Sequence, residues 1–459
     1  MTSASHAIDE ESLARDVGMA PERLREWVRG VIAAPQRQRL DWTVLAAPEG
    51  DAGLRARLEA YRQKLTQESD PGFTDGPAPA ERLAALREEL KRRAVDAFLV
   101  PRTDEYQNEY VPARAERLWW LTGFSGSAGM AVAGLERAAI FVDGRYTLQV
   151  QGQVHVHLFE PHHLIEEPPE HWVAAHFPIG ARIGYDPWLM TETSMRKFEA
   201  AATGRGLEFV ALEPNPVDAV WTHQPAAPLG VILPHGLEYA GEDSAAKRAR
   251  IGEGLEKAGA DCLVVTAVDS IAWLLNLRGG DVGHSPLPLS YAVLAADGTA
   301  DWFVDDRKLA PDVRAHLGNS VRVQAPEAFG SFLAALGSDG KRVMVDPATA
   351  PLAVLNALNS AKASIVRGGD PISLPKACKN TVEIEGTRQA HLRDAVALTR
   401  FLHWVKTEAP KGGVTEIAAS DRLEAFRAED PALKDLSFDS ISGAGPNGAV
   451  IHYRATART

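Results

Sequence analysis

The sequence predicts an α/β protein made of two tandem copies of one unit, followed by a third unit that starts with long helices. Three observations carry this. From Glu81 onward helices and strands alternate, the pattern of a layered α/β fold rather than of a bundle or sandwich. The order of elements then returns, so that Asp96, Asp143 and Asp186 recur as Asp261, Asp305 and Asp346 at a nearly constant offset. After about Gly368 the alternation stops and one long amphipathic pattern takes over.

The bulk properties bound the function. A chain of 459 residues suggests about three domains. Its 45% hydrophobic and 24% charged residues are ordinary for a globular protein. A net charge of −12 offers no footprint for nucleic acid or an anionic membrane surface. No run approaches the roughly 18 apolar residues of a membrane span. The start, MTSASHAIDEESLARD, is acidic and has no apolar core, so it does not read as a secretory signal. Two cysteines in different segments, Cys262 and Cys378, suggest no disulfide framework, and a reducing cytoplasm is expected.

Residues 1–78 read as a helical leader plus linker. Leu13, Val17, Leu24, Trp27 and Val28 are roughly periodic, and Pro21 opens a second helix. LARDVGMAPERLREWVRG has a helix-turn-helix outline, but the leader has more acidic than basic residues, against DNA reading. ESDPGFTDGPAP, from Glu68 to Pro79, is a linker pattern. The first α/β unit is expected over 79–230. Its helix ERLAALREELKRRAV leads into a strand over 96–100, then LWWLTGFSGSAGMAVA, the strand AAIFVDGRY and the strand IGYDP. The second unit, 231–370, repeats this with KRARIGEGLEKAGA, DCLVVTA, IAWLLNLRG, SYAVLAADGTADWFVDD and VMVDP. Over 371–459, a helix is expected from Thr381 to Glu408, stopped by Pro410, Gly412 and Gly413. Thr415 caps a second helix that ends before Pro431. Too few strands follow to close a sheet over these helices.

The chemistry concentrates in FDSISGAGPNGAVIHY, Phe438 to Tyr453. Gly443, Gly445 and Gly448 permit turns, Pro446 bends the chain and Asn447 tolerates the left-handed region. Ala449–Ile451 then read as a buried strand delivering His452 to a fixed place. From the residues alone His452 is either a half-buried hairpin histidine or a site residue. GFSGSAG (123–129) resembles a nucleophile elbow only superficially, because it lies between strand-like segments, and it reads as a tight turn. His155, His157, His162 and His163, with Glu160, Glu166 and Glu167, form the densest metal-like cluster, set against a plain polar strand and loop. Trp119 and Trp120 are core or pocket residues. Asp143, Arg145 and Tyr146 make a structural turn with room for an ion pair. Asp269, Asn276, Arg278 and Asp281 would line a cleft or a domain interface.

SISGAGPNGAVIHYR, KACKNTVEIEGTRQAHLRDAVAL, APKGGVTEI, VDSIAWLLNLRG, VWTHQP and LTGFSGSAG with its downstream DGRY together resemble the cytosolic Xaa-Pro aminopeptidases of the pita-bread metallopeptidase family. The segments occur in the family's order over more than four-fifths of the chain, and the leader lies outside them. The resemblance implies two creatinase-type N-terminal α/β domains followed by the beginning of a pita-bread α+β catalytic domain. It implies hydrolysis of the bond between an N-terminal residue and a following proline, with two divalent ions, usually Mn²⁺, sharing a hydroxide. His452 would then bind substrate and support the reaction, with Asn447 and Trp119 as further substrate contacts. No metal ligand is assignable, since the family's two aspartates, one histidine and two glutamates are expected beyond Thr459. The 459 residues are therefore expected to be inactive alone, as part of a longer enzyme. The partners implied are proline-containing peptides and a homodimer mate, with no nucleic acid and no membrane. A non-catalytic peptide-binding or assembly module on the same scaffold is the alternative.

Overall fold

The computed structural model describes residues 9–35, 42–68 and 77–456. Residues 69–76 of the expected linker and the first eight residues of the leader lie outside that range.

Both α/β units fold as the repeat predicts. The first sheet contains β1 (Ala97–Pro101), β2 (Gly129–Gly134), β3 (Ala138–Val142), β4 (Glu160–His163), β5 (Arg182–Tyr185) and β6 (Glu208–Ala211) in the order β4-β3-β2-β1-β5-β6. A two-stranded ladder follows, β7 (Leu233–Pro234) with β9 (Leu277–Arg278). The second sheet contains β8 (Cys262–Val265), β10 (Tyr291–Ala295), β11 (Ala300–Phe303), β12 (Val321–Gln324), β13 (Arg342–Val345) and β14 (Ser364–Arg367), in the order β12-β11-β10-β8-β13-β14. The two orders are the same. In both sheets the first strand pairs antiparallel with the second and parallel with the fifth.

Side-chain alternation places both cores. Phe98 and Val100 face Leu83, Leu86 and Leu90 of the helix Pro79–Arg92, while Ala97 and Leu99 face Trp172 and Val173 on the opposite side. In the second sheet Leu263 and Val265 face Ile251 and Leu255, and Cys262 and Val264 face Leu333 and Leu355. Each fully buried side chain of this size stabilises by about 1.5–3 kcal/mol.

The recurring aspartates explain themselves. Asp96 Oδ2 accepts the Arg182 N–H at 2.7 Å, and Asp261 Oδ2 accepts the Arg342 N–H at 2.8 Å, each clamping the first strand to the fifth. Asp143 and Asp305 accept backbone N–H bonds two residues on from Arg145 and Arg307, and bind those same guanidiniums. Asp186 and Asp346 accept from the N–H groups of Trp188 and Ala348. The second and third pairs do turn-forming jobs that a short carboxylate does well.

The leader is a helical unit with its own core of Leu13, Leu24, Trp27, Val28, Leu58 and Tyr61, closed by Leu229 from the chain entering the second unit. Its helices Glu10–Asp16 and Pro21–Ala33 flank Gly18, which takes φ +71°. The two α/β units meet through Tyr106, stacked on Tyr291 at 4.8 Å, and through the Arg367–Glu192 pair at 2.9 Å.

The long helix spans Thr381–Glu408, with Asn380 and Glu383 closing a reciprocal capping box and Asn380 Nδ2 donating to Ala240 O at 2.8 Å. Thr415 caps Glu416–Ala428 through the Ala418 N–H at 3.1 Å.

Three expectations are corrected. LWWLT is the helix Arg117–Thr122, so GFSGSAG joins a helix to a strand, the reverse of an elbow. His155 and His157 lie in a turn, since the strand starts only at Glu160. Ala449–Ile451 form no strand: Gly445–Ala449 is a 3₁₀ turn and Ile451 is 60% exposed. A strand needs a partner to satisfy its backbone, and the structure pairs none with this run.

Candidate functional site

The glycine-rich stretch is organised around a residue that the sequence does not single out, Glu416. Its carboxylate accepts the Ala444 N–H at 2.6 Å, the Tyr453 hydroxyl at 2.6 Å and the Asn447 amide at 3.1 Å. Asn447 Nδ2 also reaches the Tyr453 oxygen at 2.9 Å. These bonds, the Tyr453 hydroxyl first, hold the Glu416 carboxyl below the usual carboxylate range. Asn447 therefore works inside the loop. The only sequence signal for Glu416 is its place in the first turn of a capped helix within APKGGVTEI.

His452 follows this loop in the left-handed region at φ +56° and is exposed. It meets the first α/β unit. Its ring stacks on Tyr146 with centroids 5.7 Å apart and planes 26° apart, and its Nε2 lies 3.4 Å from Arg145 Nη1. Arg145 is paired with Asp143 at 2.6 Å, and its hydrogen bonds, helped by the nearby His452, lower the Asp143 pKa. The Tyr146 hydroxyl accepts the Ser127 N–H at 3.1 Å. Upstream, His284 of the second unit lies 3.0 Å from Leu436 O and 3.2 Å from Asp439 Oδ1. The stretch is thus tethered to both α/β units.

The other candidates are dispersed. Trp120 is buried and stacks on Trp221, and half-buried Trp119 packs on the first core. His162 bonds Glu167 at 2.6 Å and stacks on Phe141, while His155 and His157 meet edge to face. Asp281 is buried against Lys308 at 2.8 Å, Asn276 accepts from Lys247 at 2.7 Å, and Arg278 donates to Leu277 O at 2.8 Å. Asp269 pairs with Lys376 at the approach to the long helix. Each of these last four is engaged by a partner of its own.

Among the described residues no three histidine, cysteine, aspartate or glutamate side chains converge as a metal-holding set. Around His452 the neighbours are a guanidinium and a phenol, so the residues present do not fit a divalent ion. No helix among the described residues is long and apolar enough to cross a membrane.

Comparison with known proteins identifies the parts. Two family models described as Creatinase/Prolidase N-terminal domain match residues 82–220 and 223–383, and Metallopeptidase family M24 matches 385–459. The chain is 36% identical over 391 residues to a protein of Paracoccidioides lutzii named probable Xaa-Pro aminopeptidase P, covering 82% of this chain and 63% of that one. It is 36% identical over 436 residues to a protein of the same name from Coccidioides posadasii, covering 91% and 65%. In structure it resembles the X-prolyl aminopeptidase of Caenorhabditis elegans, described as a cytosolic enzyme with a di-nuclear active site, with a TM-score of 0.78, 28% identity and coverage of 83% and 64%. The chain thus spans somewhat under two-thirds of the length of these relatives. The paired sheets, the M24 match over the His452 stretch and these likenesses place the chain in the family that joins creatinase/prolidase N-terminal domains to an M24 metallopeptidase domain, alongside the Xaa-Pro aminopeptidases P.

Proposed function

We propose that this chain belongs to an exopeptidase that releases the N-terminal residue of peptides whose second residue is proline, and that its 459 residues carry substrate-recognition parts of that site. The observation that supports this is the unbroken order of the three matches, ending on the loop that presents His452. An Xaa-Pro bond is a tertiary amide with no N–H and a fixed φ, so it calls for a dedicated site. In this reading the divalent ions that the family implies, manganese the first choice, would supply an activated water for the attack, and the described residues provide no ligand set for them. His452 binds the substrate carbonyl region and donates to charge developing there, with Asn447 and Trp119 as further substrate contacts. A cytoplasmic setting and a homodimer belong to the same proposal.

The 459 residues are expected to release no arginine from an Arg-Pro-Pro peptide with added Mn²⁺, and to bind that peptide weakly in calorimetry, with His452→Ala weakening binding further. Turnover that a chelator abolishes would overturn the inactivity. Equal binding by wild type and His452→Ala would overturn the role of His452.

A further inference from the structure

We propose that Arg145 and Tyr146 of the first creatinase-type domain are positioning residues for His452, and that Arg145 decides which imidazole nitrogen carries the proton. The proposal rests, for its functional meaning, on His452 facing substrate.

The geometry is directional. Arg145 places Nε and Nη2 on the Asp143 carboxylate, at 3.0 and 2.6 Å. That leaves Nη1 as the edge facing His452 Nε2 at 3.4 Å. A guanidinium can only donate, so a neutral His452 must accept at Nε2 and hold its proton on Nδ1. The platform beneath the ring is rigid. Tyr146 is 3% exposed, its hydroxyl is fixed by the Ser127 N–H and lies 2.9 Å from Ser127 Oγ, and its ring packs edge-on against Phe124 at 5.5 Å. From the other side, the Glu416 carboxylate holds Asn447 and Tyr453 around the same loop.

The second domain supplies an independent comparison. Its matching turn binds Arg307 Nε and Nη2 to Asp305 at 3.0 and 2.6 Å and again leaves Nη1 outward. There Nη1 meets a plain acceptor, the Glu26 carboxylate of the leader, at 3.5 Å. The same turn therefore presents one N–H donor to a separate segment in each domain, and on the first domain the acceptor is an imidazole nitrogen. The consequence is chemical. The ring keeps Nδ1–H as its donor, the kind of group that a substrate carbonyl or a developing oxyanion needs.

Long-range ¹H–¹⁵N correlation on the 459-residue chain with ¹⁵N-histidine, at alkaline pH where imidazoles are neutral, reads the tautomer directly. His452 is assigned among the fourteen histidines by His452→Gln. The expected result is the Nδ1–H form. Arg145→Gln should shift the tautomer ratio toward Nε2–H by about fivefold, the weight of one net hydrogen bond, with the other histidine signals in place as evidence of folding. Tyr146→Leu should remove the upfield ring-current shift of the His452 protons. If that variant fails to fold, Tyr146→Phe should keep both signatures. An Nε2–H form in the wild type, or an unchanged ratio in Arg145→Gln, would overturn the proposal. A correct tautomer together with peptide binding that ignores His452→Ala would sink only the substrate-facing reading.

Discussion

The two α/β domains share one strand order and three matching aspartates, yet they use the turn after the third strand differently. In the first domain the turn reads Asp143-Gly-Arg-Tyr, and Tyr146 forms a ledge on which the C-terminal stretch rests. In the second it reads Asp305-Asp-Arg-Lys, and the residue in the place of Tyr146 is Lys308, which turns inward to Asp281. One duplicated turn has become a docking surface in one copy and an internal brace in the other. The turns differ at their second and fourth positions, and the fourth, Tyr146 or Lys308, makes the contact that separates the two outcomes.

The largest test of that difference is Lys308→Met. Asp281 is 0% exposed and accepts from Lys308 Nζ, the Gly230 N–H and the Leu289 N–H. Removing the cation strands a buried carboxylate, which costs about 3–5 kcal/mol. Urea denaturation should show that loss, and adding Asp281→Asn should restore part of it. Tyr146→Phe, which keeps the ring and loses one hydroxyl, should cost less than about 1.5 kcal/mol. Equal losses from the two changes would remove the distinction between brace and ledge.

The buried aspartates of the first domain and Asp261 of the second should also answer pH in opposite directions. Burial pushes Asp104 and Asp186 of the first domain up to about 6. The folded state keeps these protons up to about pH 6, whereas the unfolded chain releases them near 4, so the folded state binds more protons in between and stability falls as pH rises through that window. For fully buried Asp104 this amounts to about 3 kcal/mol. Asp104→Asn should flatten the slope between pH 4 and 7, measured by hydrogen exchange in β1 and β5. In the second domain the hydrogen bond from Arg342 holds Asp261 down to about 2. Its contribution is present above pH 4 and fades as pH falls toward 2. A first domain whose stability rises with pH would reverse the assignment.

Much of the fold was legible because it rests on local turn chemistry and periodicity. The aspartate repeat predicted two like sheets, and the helix Thr381–Glu408 was readable from its caps and apolar spacing. LWWLT was misread because a short apolar run does not distinguish helix from strand. Ala449–Ile451 looked like a strand on propensity, but propensity has no effect without a neighbouring strand. Of the candidate site the sequence pointed to His452, and its surroundings were not legible. Its contact with Arg145 joins residues 307 positions apart, and nothing local announces such a pairing. Glu416 was hidden for the same reason, since its partners lie about 30 residues downstream.

The leader's attachment to the second domain allows a smaller test of docking. A Cβ on Gly30 would sit 2.5 Å from the side chain of Leu229, so Gly30→Ala crowds the contact and should cost about 1–3 kcal/mol, visible as faster proteolysis of the leader. Glu26→Ala removes only a long pair with Arg307 whose glutamate side is exposed, and should cost less than about 1 kcal/mol. If Glu26 matters more than Gly30, the second turn holds its partner by charge, as the first is proposed to hold His452.

The smallest expected effect lies in the loop itself. Tyr453→Phe takes away the hydroxyl that does most to hold down the Glu416 carboxyl, so that carboxyl should titrate closer to the ordinary range, measured by ¹³C NMR. In the wild type the folded value is lowered, so the stabilisation from Glu416 is present above the unfolded value of about 4.3 and is lost as pH falls through the folded one. The Ala444 amide, bonded to the same carboxylate, should exchange faster in the variant while the sheets stay protected. An unchanged Glu416 titration would mean that the Tyr453 hydroxyl does not hold the loop, and that its place rests on the Ala444 and Asn447 bonds to Glu416 and on Arg145 and Tyr146.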